Sequence, residues 1–420
     1  MKITRLTEAM ALEVSELRMR ITAALAAAAL LCGCSDGAGN YETAEYSGSY
    51  HMISDGTTVL IEEEETSERK TAVYIPEGME TVYASAHLDE NQKEIFDSLV
   101  ESLGNCDTEV PMLDDASIYT VLLNLVSIEQ LGYSHISGRT AKDYNMEKGY
   151  FPIEFTYRFT PEEMSNMNRS AEAAANEIIA AMDDNMSDYD KLKYFHDYLI
   201  THCESVTDDI YANTIYGTLV KGKALCEGYA KSFSYLCNKV GIENMIVTGA
   251  TDVAHMWNMV KIEGNWYHVD VTWDKPDAAI TEMYPDMVLY QYFMVTDSVI
   301  ENDHNIWSVG YDPPHAYGTK ENYFIKENAY VSDADEMETV TEYVLRKAVN
   351  ERKSNAMIKF DTTNLMHSAM RELTESAEND ENYFSSMIDS IGEDFGVRLN
   401  VSWTDYYSPY RILTFVIEYE

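Results

Sequence analysis

The chain has 420 residues, 45 % hydrophobic and 11 % aromatic, which is enough apolar surface for packed cores and more length than one ordinary domain needs. Its 72 acidic residues against 30 Lys and Arg leave a formal net charge of −42. Such a surface repels nucleic acid and anionic lipid head groups, and no Lys/Arg cluster forms a phosphate-binding stripe, so no nucleic-acid partner is expected. EF-hand loops and His/Cys metal spacings are missing too, so neither metal nor cofactor is expected.

Near the start, Met19-Arg20 precede an apolar run from Ile21 to Leu31, followed by Leu31-Cys32-Gly33-Cys34. A positive start, an apolar stretch of about 11 residues and small residues at its end form a secretory pattern too short to span a bilayer. Leu31-Cys32-Gly33-Cys34 resembles a bacterial lipobox, which implies export, cleavage after residue 33 and lipidation of Cys34. Plain secretion with cleavage nearby is the alternative. The expected location is the outer face of the cell membrane, with the membrane touched through the lipid anchor only. Residues 34–50 are small and polar, as a tether is.

Residues 51–160 are assigned to an N-terminal accessory α+β domain. Thr71 to Ile75 reads as a strand, Asp89 to Leu103 as an amphipathic helix ending at Gly104, Asp115 to Leu131 as a second helix, and Tyr150 to Phe159 as an alternating strand. A central domain, 161–312, opens with Thr160-Pro161-Glu162-Glu163, which supplies an N-cap, a first-turn proline and a capping-box Glu. Ser187 to Asp190 open another helix. Pro313-Pro314 marks a boundary, and residues 313–420 alternate helices with strands at Ala356 to Phe360, Val397 to Trp403 and Arg411 to Tyr419, a second accessory α+β domain.

Chemistry concentrates in the central domain. Gly222 to Ala230 leads into a helix whose apolar positions Cys226, Ala230, Phe233, Leu236, Cys237 and Val240 share one face, ended by Gly241. Cys226 thus sits in the first turn, where unpaired N–H groups favour a thiolate and can stabilise an oxyanion. Cys237 lies three turns on and reads as core. With Cys34 lipidated and Cys226 free, Cys106, Cys203 and Cys237 cannot all pair, so no disulfide framework is indicated.

Two strand-like segments, His255 to Ile262 and Trp266 to Trp273, flank Glu263-Gly264-Asn265. With Glu263-Gly264 as a two-residue hairpin loop, Asp270 falls opposite Trp257 and diagonal to His255 on one face, roughly 7 Å apart at the backbone. A loop at Gly264-Asn265 would instead move Asp270 opposite Met259. The first register lets a carboxylate orient an imidazole, which in turn can serve a thiol.

Thr214 to Val220, Gly222 to Ala230, His255 to Val260 and Gly264 to Asp274 resemble the bacterial branch of the transglutaminase-like superfamily, over about residues 187 to 310. The resemblance implies a papain-like α+β core, with the cysteine-bearing helix packed on an antiparallel sheet and α+β domains on either side. It implies a catalytic triad of Cys226, His255 and Asp270. Trp257, Asn258, Trp273 and Asp274 match further motif positions and are expected to shape the cleft. Val220 stands where papain-like enzymes carry an oxyanion Gln, which leaves Tyr216 as a candidate second donor.

The expected function is thiol acyl transfer at the cell surface, foremost as a cysteine peptidase or amidase acting on peptide or protein amides. Amine transfer by a transglutaminase and a non-catalytic envelope scaffold are the alternatives. A glycoside hydrolase reading fails on information: among 72 acidic residues, carboxylate pairs say almost nothing.

Overall fold

A computed structural model describes residues 72–420 apart from 82, 113–115, 134–135, 143–144, 308–311, 378–382 and 405–409. The leader, Cys34, the tether and Thr71 lie outside the described residues. The chain is α+β with mainly antiparallel sheets. No described helix is long and apolar enough to cross a membrane.

Helix α1 (Glu90–Gly104) starts at a capping box in which Asp89 and Gln92 satisfy each other's backbone N–H. Strand β1 (Glu109–Met112), helix α2 (Ala116–Glu129) and strands β2 (Ile136–Ala141) and β3 (Phe151–Tyr157) complete the first unit, a sheet of order β1-β3-β2. Phe96, Leu99, Leu103, Val110, Ile153 and Phe155 fill its core. Residues 72–76 do not form the expected strand. Their amides are used elsewhere: Val73 N–H donates to Gly104 O and Tyr74 N–H to Ser165 Oγ, which ties this segment to helices rather than to a sheet.

Helices α3 (Pro161–Ala180) and α4 (Asp188–His202) both begin with complete capping boxes, from Thr160/Glu163 and Ser187/Asp190. After β4 (Glu204–Ser205) come α5 (Ile215–Lys221), β5 (Lys223–Ala224) and α6 (Cys226–Lys239). Gly222, at φ +64°, ends α5 in the left-handed region and turns the chain straight into β5 and α6. At the far end of α6, Gly241 adopts φ +75°. Helix α6 is buried on every side from Gly228 to Cys237, not on one apolar face alone. It is the central helix, so its polar positions need internal partners. Lys231, 1 % exposed, donates to Glu227 Oε1 at 2.7 Å.

The central sheet has the order β10-β6-β7-β8-β9, all neighbours antiparallel, formed by β6 (Asn244–Ala250), β7 (Ala254–Ile262), β8 (Asn265–Val269), β9 (Phe293–Val295) and β10 (Asn305–Ile306). Short helices α7 (Ala278–Met283) and α8 (Asp297–Ile300) sit in its connections. Met256 and Val260 on one face share a core with Tyr229, Phe233 and Leu236 of α6. Trp257 and Met259 on the other pack with Met245, Val247 and Tyr292.

The last segment comprises α9 (Tyr323–Lys326), β11 (Tyr330–Val331), α10 (Met337–Asn350), β12 (Asn355–Phe360), α11 (Thr363–Ala377), α12 (Tyr383–Phe395), β13 (Leu399–Thr404) and β14 (Ile412–Tyr419), with sheet order β11-β12-β14-β13. Phe360, Leu373, Ile391 and Phe415 belong to the same continuous apolar cluster as α6.

One contact fixes where α6 begins. Gly228 lies against the 209–214 loop, and a Cβ there would meet Ala212 O at 2.1 Å and Thr218 Oγ1 at 2.8 Å. The obstruction is mainly backbone, so it cannot swing aside. Gly228→Ala is therefore expected to lower stability by about 1–3 kcal/mol in urea unfolding.

Candidate active site

The sequence from Gly222 to Leu225 presents Cys226 at an open helix end. Leu225 is the N-cap, and its side chain makes no capping hydrogen bond, so the first-turn N–H groups of α6 are not covered by it. Leu225 N–H itself is held by Ala212 O at 3.0 Å. Cys226 is half-buried, whereas Cys203 and Cys237 are buried. Burial pushes the Cys203 thiol up to about 12 and the Cys237 thiol well above its ordinary value. Those two are core thiols.

The hairpin adopts the Glu263-Gly264 loop. Both residues have positive φ, +49° and +82°, as a type I′ turn requires, and Ile262 faces Asn265. Asn258 pairs with Val269, so the next position along places Asp270 opposite Trp257, as the first register expects. Strand β8 ends at Val269, earlier than the sequence reading to Trp273. The cause is Asp270 itself: its Oδ1 accepts Thr272 N–H at 2.9 Å and Trp273 N–H at 3.1 Å, a local turn that competes with the ladder.

His255 Nε2 and Asp270 Oδ2 lie 2.6 Å apart. Cys226 lies close enough to act on the His255 imidazole, and with Nε2 facing Asp270 the ring nitrogen left for the thiol is Nδ1. Burial opposes a charge on His255, but the Asp270 carboxylate, its hydrogen bond and the adjoining Cys226 together push the imidazole up to about 10. Burial likewise opposes a charged Asp270, yet His255 and His304 hold that carboxyl well below the usual carboxylate range. Sulfur, imidazole and carboxylate are thus brought together.

The further motif residues divide. Trp257, 1 % exposed, stacks on His255 with ring centroids 5.9 Å apart. Its Nε1–H donates to His268 Nδ1 at 3.0 Å, so His268 Nε2 carries the proton and donates to Asp297 Oδ1. Trp273 is half-buried, with its ring 6.2 Å from that of His255, and it forms a wall of the site. Asn258 and Asp274 do not line a cleft. Asn258 points to the opposite face of β7, as the two-residue period demands, and its Nδ2 donates to Ala230 O and Ser234 Oγ on α6. Asp274 is fully buried, facing His196 Nε2 with Oδ2 and accepting Tyr292 N–H with Oδ1. Both residues fasten elements together. Tyr216 packs edge-on against Tyr211 with Lys221 over its ring. Val220 is exposed and apolar, and donates nothing from its side chain.

Two histidines absent from the sequence reading matter here. His196 bridges Asp274 and Asp197. His304 Nε2 lies 3.1 Å from Asp270 Oδ2, the same oxygen that faces His255. The sequence signal for His304 was only Asp303-His304 in a loop, with nothing local to connect it to Asp270. Among the described residues, His255, Asp270 and His304 form one group whose ligand-type atoms lie within 4.8 Å of one another. Asp270 Oδ2 is the shared point of this group, facing Nε2 of both histidines.

A stability change with pH follows from the high His255 value. Its folded-state pKa lies above the unfolded value of about 6.5, so the extra stability is complete below that pH and is lost as pH rises through about 10. The stability gap between wild type and His255→Ala is expected to narrow across that window, read by denaturant unfolding at a series of pH values.

The family model of the transglutaminase-like superfamily matches residues 173–271, a span that contains Cys226, His255 and Asp270 and stops before His304. Kyphoscoliosis peptidase of Homo sapiens is 29 % identical over 100 residues, covering 20 % of this chain and 14 % of that protein. The Mus musculus protein of the same name is 28 % identical over a stretch of the same length and coverage. The chain therefore spans only a small part of the curated relatives it matches. The crystal structure of a TGase aligns at 17 % identity and TM-score 0.24, covering 39 % of this chain and 49 % of that one, a likeness too low to carry weight. The chain thus contains, over residues 173–271, a region similar to the transglutaminase-like superfamily.

Proposed function

We propose that this protein is a thiol acyl-transfer enzyme, foremost a cysteine peptidase or amidase acting on peptide or protein amides. The observation that carries this reading is the convergence of the Cys226 thiol and the Asp270 carboxylate on the single imidazole of His255. In the proposed cycle His255 Nδ1 takes the Cys226 proton, and the thiolate attacks the amide carbonyl. First-turn N–H groups of α6 receive the negative charge that develops on the carbonyl oxygen. His255 then delivers its proton to the leaving amine as the C–N bond breaks, which leaves an acyl group on Cys226. Asp270 keeps the ring oriented and stabilises its charged form throughout. Water resolves the acyl-enzyme in a peptidase, and a primary amine resolves it in a transglutaminase.

A thiol-directed electrophile should label the intact protein at near-neutral pH. The fast phase of labelling should vanish in Cys226→Ala and persist in Cys237→Ala, because Cys237 is buried and its thiol is held protonated, with the half-buried Cys106 followed as a separate peptide. Unchanged labelling in Cys226→Ala, read by mass spectrometry, defeats the enzymatic reading. Given a peptide substrate and a labelled primary amine, the expected product is the free acid. Incorporated amine would shift the assignment to a transglutaminase.

The reading also includes export and a lipid anchor at Cys34, on the strength of Leu31-Cys32-Gly33-Cys34. In a bacterial host fed labelled fatty acid, the protein should acquire label and sediment with membranes. Cys34→Ala should remove both properties, and label retained in that variant refutes the anchor.

A further inference from the structure

The Asp270 carboxylate has every near partner assigned: two backbone N–H groups on Oδ1 and two imidazoles on Oδ2. The second imidazole, His304, is 2 % exposed. Its other nitrogen, Nδ1, faces Asp303 Oδ1. A carboxylate only accepts, so both contacts are hydrogen bonds when both ring nitrogens carry protons, and His304 is then an imidazolium. Burial works against that charge, but the hydrogen bonds to Asp270 and Asp303 raise its pKa overall.

The surroundings suit a held cation. Trp257 from β7, Trp273 from the turn after β8 and Tyr292 next to β9 enclose the ring, with centroids 5.1, 4.8 and 5.1 Å away. Asp303 is itself fixed by the hydroxyls of Tyr292 and Tyr410, the latter reaching in from the C-terminal segment. The other titratable groups near it are His255, 5.6 Å away by ring centroid, and His268, whose charge His304 opposes. Strand β10 delivers His304 by pairing Asn305 with Ala250 and Ile306 with Gly249. Gly249 permits that approach, because a Cβ there would lie 2.2 Å from Asn305 O and 2.7 Å from the Trp257 ring.

We infer that His304 is a positioning residue of the thiol site: as a cation clamped between Asp303 and Asp270, it aims Asp270 Oδ2 at His255 and limits how tightly that carboxylate holds the His255 proton. The inference rests on the triad reading and extends it. A base that must return its proton to a leaving amine works poorly if the proton is gripped too strongly. A second cation on the same oxygen loosens that grip, since like charges disfavour each other's protonated forms.

The test is the rate of Cys226 alkylation by iodoacetamide, followed by mass spectrometry in short pulses from pH 5 to 11, on the whole protein. The upper inflection of this profile marks loss of the His255 proton. In His304→Gln, which keeps a neutral donor toward Asp270 but removes the charge, that inflection should move upward by about one unit or more. A purely structural role for His304 gives no such directed shift. An unmoved or lowered inflection in the folded variant overturns the inference. Should His304→Gln fail to fold by circular dichroism, Asp303→Asn carries the same expectation, because His304 without its second carboxylate gives up its charge. Asp270→Asn separates the two levels of argument. If wild type and Asp270→Asn both alkylate like a free thiol, the triad reading falls and this inference with it. If Asp270→Asn abolishes the wild-type profile while His304→Gln matches wild type, only the inference about His304 falls.

Discussion

The buried Asp270 carboxylate is the constraint around which the site is organised. A charge with no exposure to water is tolerable only if protein donors replace its hydration, and Asp270 has four. Two come from the turn that it induces in its own chain. Two come from imidazoles on different strands of the sheet, one on β7 and one beside β10. Removing any donor would leave charge unsatisfied, so the end of β8, the β10 edge and the ring of His255 are fixed together.

The same logic recurs one turn further along. Asp274, also fully buried, faces His196 of α4 and accepts from the backbone of Tyr292, which locks the segment after Asp270 to a helix and to the strand behind it. Burial raises this carboxyl to about 6, opposite in direction to Asp270. Two carboxylates four residues apart therefore do different work. Asp270 stays ionised against His255 and His304, whereas Asp274 acts as a fastener. Tyr292 bridges both groups, giving its amide to Asp274 and its hydroxyl to Asp303.

Access is asymmetric. The acid end of the site is enclosed by Trp257, Trp273 and Tyr292 and reaches Tyr410 in the C-terminal segment, while Cys226 at the helix tip is half-open. The sulfur is partly open to the outside while water is kept from the carboxylate, which preserves the strength of the His255–Asp270 interaction. The accessory segment after residue 313 contributes a hydroxyl to this polar chain and apolar side chains to the core of α6.

Much of this was legible in the amino acids alone, because it depends on local rules. Capping boxes at Thr160 and Ser187, glycines at 222 and 241, and the Glu263-Gly264 turn each act within a few residues. The turn sets the register, and the register places Asp270 beside His255. Strand β8 ends earlier than its alternating pattern implies because the hydrogen bonds of Asp270 to its own following amides outweigh the strand pattern of Val271 and Trp273. Asn258 and Asp274, expected from the resemblance to shape the cleft, are buried fasteners instead, because a shared motif position does not say which neighbours a side chain meets. His304 and His196 came from loops and helices 34 and 78 residues away from their carboxylate partners, distances no local pattern encodes. The helix start and the hairpin register, both local, determined where Cys226, His255 and Asp270 stand. Only the packing of β10 and α4 decided what holds the acid in place, because buried charges recruit donors by proximity in space and not along the chain.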